Sequence, residues 1–249
     1  MSGRLLARRR TIITGGAGAI GRATARLFAE HGARLAIFDI DEEGLDATQG
    51  ELGAAHLYMR LDVRDRAACQ KAVDETVAGM GGLDVLLTMA GTVPPGGLAD
   101  ITVADYEAVM AMHMRGTFNM CQAVAPVLRA RKSGAIVCMS SIAAQRGGGL
   151  HGGTHYAAAK GAIISFARAL AREMGPDNVR VNAVCPGPIW TGRRPLDEMN
   201  ARFANPALMP MERVGMPAEV GGCFLFLASD LSGYVTGVTL DVNGGMHIA

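Results

Sequence analysis

The sequence predicts an α/β fold, a doubly wound parallel sheet with helices on both faces, as a single domain over residues 1–249. Three observations predict it. Short β-rich runs alternate with longer segments of helical period from end to end, a pattern that demands parallel strands joined by right-handed crossovers. Glycine- and proline-rich patches at Val93–Gly97, Gly147–Gly153 and Pro186–Pro195 each follow a strand candidate, where such a sheet places its ligand loops. Finally, 33 glycines and only 5% aromatic residues suit helices packed closely on a buried sheet.

Each element has its own warrant. Thr11–Thr14 is strand-length and ends in glycines, and Ile20–His31 carries Ala23, Leu27 and Phe28 on one helical face. Leu35–Asp39 is the next strand, followed by a helical stretch from Glu42 to Leu52. Further strand candidates are His56–Leu61, Leu83–Leu87, Ala135–Ser140, Val179–Cys185 and Val238–Val242. Between them lie helix candidates near Arg66–Ala78, Tyr106–Ala130, Tyr156–Met174 and Ala218–Ala228. Residues 190–213 are the least regular and are expected to form a substrate loop or lid.

The bulk numbers exclude several classes. A formal net charge of +1 with no long run of one sign offers nothing to nucleic acid or a membrane surface. The five cysteines are scattered and never form a CxxC pair, so they read as small core residues rather than a disulfide framework or zinc site. Arg4, Arg8, Arg9 and Arg10 precede no apolar signal region, and no apolar run approaches the ~18 residues of a membrane span. The expectation is a soluble, cytoplasmic protein.

The first strand runs into Thr14-Gly15-Gly16-Ala17-Gly18-Ala19-Ile20-Gly21 and then a helix. Gly16, Gly18 and Gly21 meet the G-x-G-x-x-G spacing, which brings backbone amides and a helix N-terminus up to a pyrophosphate. Glycines also serve ordinary turns, but the strand–loop–helix context is the one a Rossmann-type dinucleotide site requires. Asp39, followed by Ile40, closes the second strand eighteen positions after Gly21. A carboxylate there accepts hydrogen bonds from the adenine-ribose hydroxyls and repels a 2′-phosphate, which favours NAD over NADP. Arg22 and Arg26 lie on the helix and are not counted as phosphate readers.

Tyr156 and Lys160 stand at i and i+4, on one helical face with Cβ atoms roughly 5–6 Å apart. An unperturbed tyrosine, with a pKa near ~10, is too weakly ionised to be a base at neutral pH, and a fixed ammonium nearby favours its phenolate. Tyr156 could then take the proton of an alcohol or return it to a carbonyl. Alone, Tyr-x-x-x-Lys is commonplace on helices; the loop and Asp39 upstream change its meaning.

With these signatures in order, the chain resembles the short-chain dehydrogenase/reductase family along its whole length. They are Thr14-Gly15 to Gly21, Asp62-Val63, Ala90-Gly91, Ser140-Ser141, Tyr156 to Lys160, Pro186-Gly187-Pro188-Ile189-Trp190-Thr191, and Val235-Thr236-Gly237 through Asp241-Val242-Asn243-Gly244-Gly245. The resemblance implies that Ser141 hydrogen-bonds the reacting oxygen, that Tyr156 is the proton donor and acceptor, and that Lys160 biases Tyr156 and holds the nicotinamide ribose. It further implies adenine contacts from Asp62 and Val63, and a cleft lined by Ala90 and Gly91. Pro186, Gly187, Ile189 and Thr191 would flank the nicotinamide, and the assembly would be a homotetramer.

The chain departs from the family pattern in four places. The middle glycine of the family's loop falls on Ala19, with Gly18 beside it to supply the close backbone approach. The usual Asn-Asn before Ala90-Gly91 is Thr88-Met89. Fifteen residues separate Ser141 from Tyr156, a longer spacing than usual, with Gly147-Gly148-Gly149 to accommodate it. The family's catalytic Asn, part of a water-mediated proton relay through the lysine, maps onto His113. An imidazole can take part in that relay or merely replace a structural hydrogen bond, and near its ordinary pKa it would add pH sensitivity. Both roles are open.

Arg146, His151 and His155 before Tyr156, and Arg193-Arg194 after Thr191, are expected at the pocket mouth. Guanidinium groups bind carboxylate, sulfonate or phosphate through a rigid donor fork, although the same arginines could simply face solvent. No metal site is expected, because His151 and His155 have no acidic companion. The expected function is reversible NAD-dependent hydride transfer between a secondary alcohol and its carbonyl. Substrates would be small molecules of the polyol, sugar or hydroxy-acid type, anionic ones included. The alternatives are an NADPH-dependent 3-oxoacyl-thioester reductase and a non-catalytic NAD-sensing regulator.

Overall fold

A computed structural model describes residues 4–148 and 152–248. Among these, seven parallel strands form one sheet in the order β3-β2-β1-β4-β5-β6-β7. The first half comprises β1 (Arg10–Thr14), α1 (Ala19–Glu30), β2 (Arg34–Asp39), α2 (Glu42–Leu52), β3 (Leu57–Arg60), α3 (Arg66–Met80) and β4 (Val85–Thr88). Then come α4 (Val103–Met110), α5 (Gly116–Arg131), β5 (Gly134–Met139), α6 (Ala143–Arg146), α7 (Thr154–Met174), β6 (Val179–Pro186), α8 (Leu196–Phe203), α9 (Pro217–Ala228) and β7 (Thr239–Val242). Every strand candidate read from the sequence is present.

Neighbouring strand residues point to opposite faces, so Ile12 and Ile13 enter different cores. Ile12, Phe38, Leu86 and Ile136 pack under α3, α5 and α7. Ile13, Ile37, Leu87 and Val137 pack under α1 and α9. Strand order reverses direction at β1, which pairs with β2 on one side and β4 on the other. The crossovers diverge at that point and open a cleft beyond the strand ends.

Three details differ from the sequence reading. The helix expected over Tyr106–Ala130 is broken by one π-helical turn, Ala111–Arg115, which turns His113 inward. Such turns widen the helix and re-aim one side chain, a device frequent at functional sites. The irregular stretch 190–213 contains α8, whose first turn carries Asp197 and Glu198 where the helix dipole favours acids. It also contributes to a small core, in which Phe203 and Met209 pack with Val214, Ile142 and Met246. Four of the cysteines are buried as expected, whereas Cys223 is half-buried. No helix among the described residues is long and apolar enough to cross a membrane.

Candidate active site

The loop after β1 is built so that no side chain obstructs it. Gly15 has a φ of 71°, and a Cβ there would lie 2.7 Å from the Ala90 backbone nitrogen. A Cβ on Gly21 would lie 2.1 Å from the Gly15 carbonyl oxygen, so the first turn of α1 can settle onto the loop only with glycine at that position. Gly18 caps α1 without a side-chain hydrogen bond, which leaves first-turn amides free toward the cleft. Opposite them, the Asp39 carboxylate accepts the Ala17 amide at 3.0 Å and the Asp41 amide at 3.1 Å. A free amide cluster beside a fixed carboxylate is the donor and acceptor set of a dinucleotide's pyrophosphate and ribose.

Gly15, Gly18, Ala19, Ile20, Gly21, Asp39, Ile40, Asp62, Val63, Ala90 and Gly91 all line one cleft of about 1090 Å³. Pro186, Gly187, Ile189 and Thr191 line its other end. Asp62 is clamped by Arg64 at 2.6 Å, and that hydrogen bond holds its carboxyl below the usual range. Thr88-Met89 leaves the end of β4 tied all the same, because the Thr14 hydroxyl accepts the Met89 amide at 3.1 Å and the Ala90 amide at 3.3 Å. Arg22 and Arg26 pair with Glu51 instead of reaching the loop.

At the far end Ser141, Tyr156 and Lys160 come together from the end of β5 and the first turns of α7. Ser140 fixes this junction by donating its hydroxyl to the Lys160 carbonyl at 2.8 Å, while the Ser141 oxygen accepts the Ala143 amide at 3.1 Å. Lys160 is buried, donates Nζ to the Met139 carbonyl at 2.9 Å, and stands 5.8 Å from the centre of the Tyr156 ring. Burial brings its pKa down to about 8. Tyr156 differs from the sequence expectation. Burial pushes its phenol up, and Ser141 pulls it the other way. The lysine faces the ring and spends a donor on a backbone carbonyl, so desolvation of the phenolate outweighs its pull.

His113 is 1% exposed, and its Nε2 lies 2.9 Å from the Thr92 carbonyl oxygen. A carbonyl can only accept, so Nε2 carries the proton and Nδ1 keeps its lone pair. That Nδ1 is buried with no partner among the described residues. Burial first, then the charge of Lys160, pushes the imidazole down to about 3, so it is neutral throughout the physiological range. The pH sensitivity expected near an ordinary histidine pKa is therefore absent.

Arg146, Arg193 and Arg194 line the cleft as expected. His155, expected at the pocket mouth, is corrected. It is 4% exposed, its ring lies against Gly153, and it does not line the cleft. His151 lies outside the described residues. No cluster of three or more metal-ligating side chains occurs among the described residues. The reading of the sequence missed Thr92 and Met139, which act through backbone carbonyls that carry no side-chain signature. It also missed Ile142 and Met199, and any role in the cleft for Trp190 beyond the family motif.

Residues 15–247 match a family model described as enoyl-(acyl carrier protein) reductase. An uncharacterized short-chain type dehydrogenase/reductase of Sinorhizobium fredii is 46% identical, with 98% of this chain and 99% of that protein covered. A 3-oxoacyl-[acyl-carrier-protein] reductase of Thermotoga maritima is 37% identical, with coverage of 95% and 97%. A Brucella melitensis crystal structure, described as a 3-oxoacyl-[acyl-carrier protein] reductase with bound NAD, superposes with a TM-score of 0.90 at 35% identity, covering 99% of this chain and 94% of that one. By fold, site and sequence, this chain belongs to the short-chain dehydrogenase/reductase family of oxidoreductases.

Proposed function

We propose that the protein catalyses reversible NAD-dependent hydride transfer between a secondary alcohol and the corresponding carbonyl. The observation that carries this reading is one continuous cleft, with Asp39 and the glycine loop at one end and Ser141, Tyr156 and Lys160 at the other. NAD bound there supplies the hydride acceptor. In oxidation the carbinol carbon gives up its hydrogen with both electrons, the hydroxyl proton passes to the Tyr156 phenolate oxygen to give the phenol, and a C=O bond remains. Ser141 orients the reacting oxygen, and the Lys160 charge favours the phenolate that oxidation consumes and reduction regenerates. His113, with Nδ1 free as an acceptor, holds a water that exchanges protons with Lys160. The preference for NAD over NADP rests on Asp39, whose charge opposes a 2′-phosphate.

The names of the relatives favour a second reading, reduction of a 3-oxoacyl thioester. Asp39 speaks against the NADPH such a reductase would usually draw on. Steady-state assays with secondary alcohols, their ketones and a 3-oxoacyl thioester, each with both cofactors, separate the two. Alcohol oxidation with NAD that falls by about 10²–10⁴ in Tyr156→Phe supports the proposal. Turnover of the thioester alone, with NADPH, replaces it with the second reading. NAD binding without turnover of any of these substrates would point to a sensor.

A further inference from the structure

The ionisable residues lining the cleft are sorted by sign. Asp39, Asp41 and Asp62 stand at the end beside α1 and β2, and the described lining of the opposite end contains no carboxylate. That end carries Lys160, Arg146, Arg193 and Arg194. A cleft with one sign of charge and low-dielectric walls focuses its field on whatever enters. Ile142, Trp190 and Met199 supply such walls.

The three arginines are not equivalent. Arg194 pairs with Glu198 at 2.7 Å, which cancels most of its charge. Trp190 donates Nε1 to the Arg194 carbonyl at 2.8 Å and so pins the turn that carries Arg193. Arg193 itself makes no ion pair or side-chain hydrogen bond among the described residues. Arg146 ends α6, the short helix that follows Ser141, and one Nη reaches the Met246 carbonyl at 3.3 Å. Its remaining N–H groups are free to bind. Two guanidinium groups lining the cleft, one after β5 and one after β6, are therefore available.

We infer that the substrate is a small secondary alcohol, or its ketone, that carries a carboxylate, sulfonate or phosphate group, held by Arg146 and Arg193 while its carbinol carbon lies at Tyr156. This rests on the dehydrogenase reading above and names the substrate class for that site. The anion forms charge-assisted, forked hydrogen bonds with guanidinium donors, which lysine cannot reproduce.

The test compares probes that differ in one charge: 3-hydroxybutyrate with its methyl ester, gluconate with glucitol, and glycerol 3-phosphate with glycerol. The expected result is a higher kcat/KM for the anionic member of at least one pair, shrinking as salt is raised to about 0.5 M and the Debye length contracts. The carboxylate and phosphate arms show which anion the site takes. In Arg193→Ala and Arg146→Ala the anionic-to-neutral ratio should fall about ten- to a hundredfold through KM, as loss of a charge-assisted hydrogen bond predicts, with Arg193→Lys recovering only part. Equal kcat/KM within every pair, or a preference for the neutral members, overturns the inference. So does a loss of NAD affinity as large as the loss of preference, because the arginines would then belong to the cofactor.

If nothing turns over, the dehydrogenase reading fails separately, and binding still decides the inference. Trp190 is the one tryptophan of the chain and lines the cleft, so its fluorescence reports occupancy in the presence of NAD. Tighter binding of the anionic probes sustains the inference, and no difference between pair members ends it.

Discussion

The imidazole of His113 stands edge-on to the Tyr156 ring, with centroids 5.3 Å apart and planes at 79°. This contact joins the π-helical turn to the first turn of α7. With the folded pKa at about 3, below the ordinary value of an unfolded chain, His113 contributes stability that is full above pH ~6.5 and is lost as pH falls toward 3. The limiting slope is about 1.4 kcal/mol per pH unit. Thermal melts between about pH 7 and 4 should show His113→Asn losing less stability on acidification than the parent. Its Cε1 proton resonance should not move between about pH 5 and 8, and a titration centred near 6.5 would disprove the buried neutral state.

The two directions of the reaction should respond oppositely to pH. Burial holds Tyr156 as a phenol through neutrality, the form that donates to a ketone, whereas oxidation needs the phenolate. Oxidation should therefore rise from about pH 6 to 8 and reduction should not. Near pH 8 Lys160 begins to lose its charge, and the rise in oxidation should flatten there. Profiles of kcat/KM in both directions check this, and oxidation that falls over that interval would exclude Tyr156 as the base.

Asp39→Ala should narrow the discrimination between NAD and NADP by about tenfold or more, an effect of about 1.4 kcal/mol, measured by titrating each cofactor. The same substitution removes the acceptor of the Ala17 amide, so NAD itself should bind more weakly. An unchanged cofactor ratio would mean that Asp39 serves only the loop.

A stability prediction concerns the opposite end of the sheet. Asp84 is 4% exposed and receives Arg10 at 2.7 Å and Arg131 at 2.8 Å. Burial works against its charge, but hydrogen bonds from Arg10 and the two positive charges hold its carboxyl below the usual range. Its stabilisation is present above the ordinary carboxylate pKa and is lost as pH falls through the lowered one. Asp84→Ala strands Arg10 and should cost about 3–5 kcal/mol in denaturant unfolding, with the cleft unaffected.

Sequence and structure contributed different parts of this site. Alternation of short and long apolar segments determined the parallel sheet, because strand and helix periods are local properties of the chain. The glycine loop, Asp39, Tyr156 and Lys160 were legible for a related reason: each function demands a residue type at fixed spacing on one element. The protonation states were not legible. Whether His113 is a neutral acceptor or a titrating relay depends on its burial, on the Thr92 carbonyl and on the charge of Lys160, none of which is near it in sequence. Likewise His155 sits beside Tyr156 in the chain yet turns into the interior, since successive helix residues face different directions. The sorting of charge along the cleft arises only when loops after β2, β3, β5 and β6 are folded onto one crevice. Sequence determined which groups the protein possesses, and tertiary packing decided which are desolvated and which oppose one another. Charge state and reactivity depend on that surrounding dielectric and on partners brought from distant segments.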